Sequence, residues 1–135
     1  MRLWHQSLIS QLPRQQLLGQ HRECCALRGR GWGRNHSVVN YVFEHDPDYL
    51  VAYHYLVMGE MKKRGYHPDE IWYNSDWRGT ALGEQPGWTN PKAIGSYLIR
   101  AQINKDLITI YPEHDEAYLQ ECIDNLKAKG IEINI

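Results

Sequence analysis

Three prolines restrict the fold of this chain more than any other feature. Pro13, Pro47 and Pro91 each stand just ahead of a stretch with helical apolar spacing. Proline is tolerated in the first turn of a helix, where its missing N–H would have no intrahelical partner, and is excluded from the interior. Each therefore marks a helix start. The first helix opens at Leu12-Pro13 and runs to about Leu27, with Gly29 as its stop. Leu17, Leu18, Cys24 and Cys25 supply its apolar face. The second opens at Asp46-Pro47, with Asp46 in the N-cap position. It carries Leu50, His54, Val57, Met58 and Met61 on one stripe and ends in Lys62-Lys63-Arg64-Gly65. Cations in the last turn and a glycine after it are the expected stop. The third opens at Asn90-Pro91 and carries Ile94, Tyr97, Leu98 and Ala101.

A fourth helix is expected from near Pro112, with Leu119, Cys122, Ile123 and Leu126 as its stripe and Gly130 as its stop. The tail 131–135 alternates and reads as a short extended segment. Two connections are long. Residues 28–40 are rich in glycine and arginine, and 66–90 hold Trp72, Tyr73, Trp77 and Trp88. The expectation is an all-α fold: one compact domain over 1–135, of three to four helices with long aromatic-containing loops. No apolar run is long enough for a membrane span, and the start lacks a signal-like apolar core, so a cytosolic protein without a membrane partner is expected. Three cysteines, two of them adjacent, argue against a disulfide framework. His54, Met58 and Met61 read as core, and His45, His67 and His114 as loop or surface residues.

Charge is unevenly spread. Residues 1–40 hold six arginines (Arg2, Arg14, Arg22, Arg28, Arg30, Arg34) against Glu23, while the remainder holds nine basic and fifteen acidic side chains. Arginine is the better planar donor to phosphate. Such a split fits a polyanion-facing surface backed by an acidic body, or simply a solvated face.

The polar density also lies at the front. Trp4, His5, Gln20, His21, Arg22, Glu23 and His36 fall within the first 36 residues. Gln16, Gln20 and Glu23 share one helix face by i, i+4, i+7 spacing. Glu23 has no cation at 19 or 27, so it must meet solvent or a partner from elsewhere. The N-terminal segment, returning over its own helix, is one such partner. His21 and Cys24 stand i, i+3 on the helix, and His5 and His36 offer further zinc-type ligands, but no paired metal-binding motif is present. A His/Cys metal-binding protein is therefore an alternative reading, and neither a metal nor a cofactor is expected.

The run Leu8-Ile9-Ser10-Gln11-Leu12 followed by Gln15-Gln16-Leu17-Leu18-Gly19-Gln20-His21-Arg22-Glu23 resembles the start of the phage-type pyrimidine-dimer DNA glycosylases, also called endonuclease V. A second stretch, 56–66 with its Lys63-Arg64-Gly65-Tyr66 ending, is similar to that family's second long helix. The resemblance implies DNA as partner and a reaction in which the N-terminal amine attacks C1′ of the damaged nucleotide's sugar. Loss of the base, a Schiff base and strand cleavage by β-elimination follow. It assigns Met1, Arg2 and Glu23 to the catalytic end, with Arg22 beside the glutamate.

Arg28, Arg30 and Arg34 would hold phosphates, Trp4, Trp32 and His36 would line the nucleotide pocket, and Gln20, His5 and His21 would contact the substrate. Two features depart from the family pattern. Position 2 is arginine where the family exposes a small residue by methionine removal, and an acidic fourth helix stands where the family has an aromatic tail. A non-catalytic nucleic-acid- or partner-binding module on the same scaffold is the other alternative.

Overall fold

The computed structural model describes residues 2–30, 32, 39–103 and 108–133. Four α-helices are present among them: α1 (Arg14–Arg28), α2 (Pro47–Lys63), α3 (Pro91–Ile103) and α4 (Glu116–Ala128). Three short 3-10 segments, Gln6–Gln11, Asn40–Glu44 and Glu70–Tyr73, join them. Pairing of strand type is limited, among the described residues, to one isolated bridge between Trp77 and Glu84. The all-α expectation holds. No described helix is long and apolar enough to cross a membrane.

The proline-marked starts fall where the spacing put them. Pro47 and Pro91 are the first residues of α2 and α3, and Pro13 is the N-cap of α1. Asp46 takes the N-cap position of α2, but its side chain makes no capping bond. The fourth helix starts later than expected. Pro112 lies in a turn, and Asp115 is the cap, its carboxylate accepting from the Tyr118 N–H at 2.8 Å. The three 3-10 segments have no helical periodicity of their own and were not expected from the spacing.

Helix α2 is the centre of the core. Leu50, Val51, Ala52, Tyr53, His54, Val57, Met58 and Met61 are all buried, so the helix is covered on nearly every side. Its long flanks pack on α1 and α3. Leu17, Cys24 and Leu27 come from α1, Ile94 and Ala101 from α3, and Cys122 and Leu126 from α4. Leu3, Leu8 and Leu12 bring the N-terminal segment onto the same core, each such side chain contributing about 1.5–3 kcal/mol of burial. All three cysteines are free thiols.

Arg28 corrects an expectation. It is fully buried, and its guanidinium donates to the main-chain carbonyls of Trp72 (2.9 Å), Asn74 (2.8 Å) and Trp77 (2.9 Å). It therefore anchors the 66–90 loop and is unavailable to phosphate. The loop is drawn tight against the end of α1, where a Cβ at Gly29 would sit 2.9 Å from the Arg78 carbonyl oxygen. Trp32 stands edge-on to Phe43 and Trp88, and Arg78 stacks on Trp88 at 4.5 Å. These loop aromatics are cover for the core, which places Trp32 in packing.

Candidate active-site cleft

Residues 2–4 run over α1 outside any helix, and side chains hold their main chain. The Gln20 amide acts like a peptide group beside them. Its Oε1 accepts from the Trp4 N–H at 2.6 Å, and its Nε2 donates to the Arg2 carbonyl at 2.9 Å. The Tyr53 hydroxyl lies 2.6 Å from the Trp4 carbonyl and 2.8 Å from Gln20 Oε1. Tyr118 donates to the Leu3 carbonyl. One step on, the Gln6 N–H donates to His114 Nδ1 at 3.0 Å, and Gln6 Oε1 accepts from the Ile110 N–H at 2.7 Å. Gln20, Tyr53 and His114 are all buried, so these bonds are shielded from water.

The segment ends at a cleft of about 410 Å³ lined by Arg2, Trp4, Gln16, Gly19, Gln20, Glu23, Asn125 and Lys129. Gln16, Gln20 and Glu23 share the face that their spacing assigned. Glu23 Oε2 is buried and has no hydrogen-bond partner among the described residues. A desolvated carboxylate oxygen without a donor is costly, and a fold keeps one where function requires it. Arg22 is exposed at the rim, its Nη2 3.8 Å from where a Gly19 Cβ would stand. Arg2 is partly exposed, its guanidinium 5.8 Å from the Trp4 ring centre and 3.4 Å from a Glu121 oxygen.

Several expected residues lie elsewhere. His5 is buried against His114, ring centres 5.4 Å apart, and its Nδ1 accepts from the Ser7 N–H at 3.1 Å. His114, expected at the surface, is buried. His21 points away from Glu23, towards α2. Arg30 is exposed beyond the end of α1. Met1, Arg34 and His36 lie outside the described residues. Asn125, Lys129, Tyr53 and Tyr118 carry no local sequence signal, since they reach the site only through the tertiary fold.

The metal-binding alternative draws on His21 and Cys24 with His5 and His36; His36 lies outside the described residues, and the other three do not converge, because Cys24 is in the core and Cys25 is the cysteine one turn beyond His21. His21, Cys25 and His54 instead bring three ligand-type atoms within 4.8 Å of one another. Their protonation opposes a metal. Arg28 Nη1 lies 3.0 Å from His54 Nδ1, and a guanidinium can only donate. The His54 proton is therefore on Nε2, which lies 2.8 Å from His21 Nδ1 and donates to it. Metal-binding histidines normally show the reverse, with the second nitrogen donating to an acceptor. Burial pushes the Cys25 thiol up to about 12, so it stands protonated beside the two histidines. The cluster is a neutral hydrogen-bond relay.

Burial lowers the pKa of His5, His21, His54 and His114, the last from 6.5 to about 3. The unfolded chain then binds more protons than the folded one between those values, so stability falls as pH drops through 6.5 towards 3. His114 alone accounts for about 2 kcal/mol of loss by pH 5. Urea unfolding is expected to give a lower midpoint at pH 5 than at pH 7.5. Equal midpoints would show that these histidines protonate without hindrance in the fold.

Comparison with curated proteins and with solved structures gave no match. Residues 1–74, just over half of the chain, match the model of a family described as pyrimidine dimer DNA glycosylase. The matched part contains α1, α2 and the pinned N-terminal segment, and so the whole of the cleft except its α4 wall. The chain belongs to the pyrimidine dimer DNA glycosylase family.

Proposed function

We propose that this protein is a DNA glycosylase with abasic-site lyase activity, with the N-terminal α-amine as nucleophile and Glu23 as its acid–base partner. The observation that carries the proposal is the buried Glu23 Oε2, without a hydrogen-bond partner among the described residues, in the cleft where the pinned N-terminal segment ends. Arg2, at the head of that segment, is on the cleft wall, so the segment leads its N-terminal end to the site. An α-amine titrates near 7.7–8.0 against about 10.4 for lysine, so roughly a hundredfold more of it is neutral at pH 7.

The neutral amine attacks C1′, and the C1′–N bond to the base breaks, its electron pair leaving with the base. Loss of a proton from the attacking nitrogen and opening of the sugar give the imine. Removal of a C2′ proton then expels the 3′ phosphate oxygen, cutting the strand. The Glu23 carboxylate is placed to offset positive charge developing at the sugar and to carry protons between these steps. Arg22 at the rim and Arg2 in the wall supply cations for the flanking phosphates.

The test is borohydride reduction of the protein mixed with duplex DNA carrying an abasic site. A covalent adduct on the N-terminal peptide is the expected result. Retained DNA binding with no adduct would favour a binding module that kept the scaffold and lost the chemistry.

A further inference from the structure

We infer that Lys129, from the helix outside the family match, binds a backbone phosphate of the DNA beside the reacting sugar. The inference rests on the glycosylase reading and extends it to a residue that neither the family match nor local spacing marks. Lys129 lines the cleft together with Asn125, one turn before it on α4, and both face the wall formed by Arg2, Trp4, Gln20 and Glu23. Its Nζ lies 5.3 Å from the Trp4 ring centre, and it makes no ion pair among the described residues. The charge is thus held over an aromatic face at the mouth of the site and is not neutralised there.

The surrounding charges show why a cation is needed at this corner. The exposed face of α4 carries Glu116, Glu121 and Asp124, which repel a polyanion. The helix ends at Ala128, with Lys129 as its C-cap, so the negative end of the helix dipole lies at the cleft. Glu23 adds a carboxylate. The Arg2 guanidinium is partly engaged by Glu121. Without Lys129, a strand entering the cleft would meet mostly negative charge on the α4 side. Lysine suits a single phosphate contact as a compact point charge on a long stem.

The experiment measures binding to a duplex containing a tetrahydrofuran abasic analogue, which has no C1′ hydroxyl and cannot form an imine. Affinity is followed against salt for wild type, Lys129→Ala, Lys129→Arg and Lys127→Ala, the last being a lysine on the same helix outside the cleft. Lys129→Ala is expected to reduce the slope of log affinity against log salt by about 0.9, the value for one phosphate contact. Lys129→Arg should keep the wild-type slope, and Lys127→Ala should match wild type.

An unchanged slope in Lys129→Ala, or an equal drop in Lys127→Ala, overturns the assignment. So does a borohydride-trapped adduct on Lys129, since the amine would then be reacting with the sugar. If wild type traps no imine but Lys129→Ala still lowers the slope, the chemistry falls and the phosphate contact stands. No wild-type binding to the duplex removes both.

Discussion

Glu23→Gln should fold as wild type does and lose strand cleavage on abasic DNA by about 10²–10⁴-fold, the usual contribution of a positioned acid–base group. That is roughly 3–5 kcal/mol of transition-state stabilisation. Stability should move the other way. Glu23 Oε2 is buried without a donor among the described residues, so that oxygen is desolvated with nothing in return there. A neutral amide of the same shape removes that charge, and the variant should unfold at the wild-type temperature or above it. DNA affinity should hold or rise, because one negative charge leaves a cleft that faces a polyanion. Higher stability with lower rate is the signature of a group kept for chemistry. Cleavage at the wild-type rate would remove Glu23 from the mechanism, whereas loss of folding would make it a structural residue.

Arg28→Leu should lower stability by about 3–5 kcal/mol, comparable to breaking a buried ionic contact. The arginine is buried with no carboxylate among its bonded partners, and its charge is met by three carbonyls of the loop, His54 Nδ1 and the Trp72 ring at 5.0 Å. Leucine takes the guanidinium from all three carbonyls, of which Asn74 keeps the Trp77 N–H, and removes the bond that sets the proton on His54. Arg28→Lys should recover only part of the loss, since one ammonium cannot span sites that two nitrogens of a planar fork now serve. Denaturant unfolding measures the change. Below the unfolding transition, Arg28→Leu should bind DNA with an unaltered salt slope. A reduced slope would return Arg28 to the phosphate-contact set.

That arginine also shows where local reading of the chain stops. The helix starts were legible because proline acts on its own neighbours, and the Gln16–Gln20–Glu23 face was legible because 3.6-residue periodicity is local. Six arginines in a glycine-rich front look alike from spacing, and nothing near Arg28 announces that carbonyls some 45 residues later will enclose it. His114 read as a surface residue for the same reason. Its partners are Gln6 and Tyr41, and only the fold brings them to it. The α4 wall of the cleft was invisible because Asn125 and Lys129 lie about a hundred residues from Glu23. The late start of α4 follows from Asp115, a better cap than the turn at Pro112 could supply.

The grip on residues 2–4 bears on how this scaffold tolerates sequence drift. Gln20, Tyr53 and Tyr118 take hold of an N–H and three carbonyls, atoms that every residue except proline presents alike. The path of the chain into the cleft is therefore blind to which side chain stands at position 2. An arginine can replace a small residue there without moving the backbone, and the position is free to take up a new task in charge or recognition. Proline at position 4 is the exchange that this arrangement forbids, because it deletes the one main-chain donor that the Gln20 amide accepts.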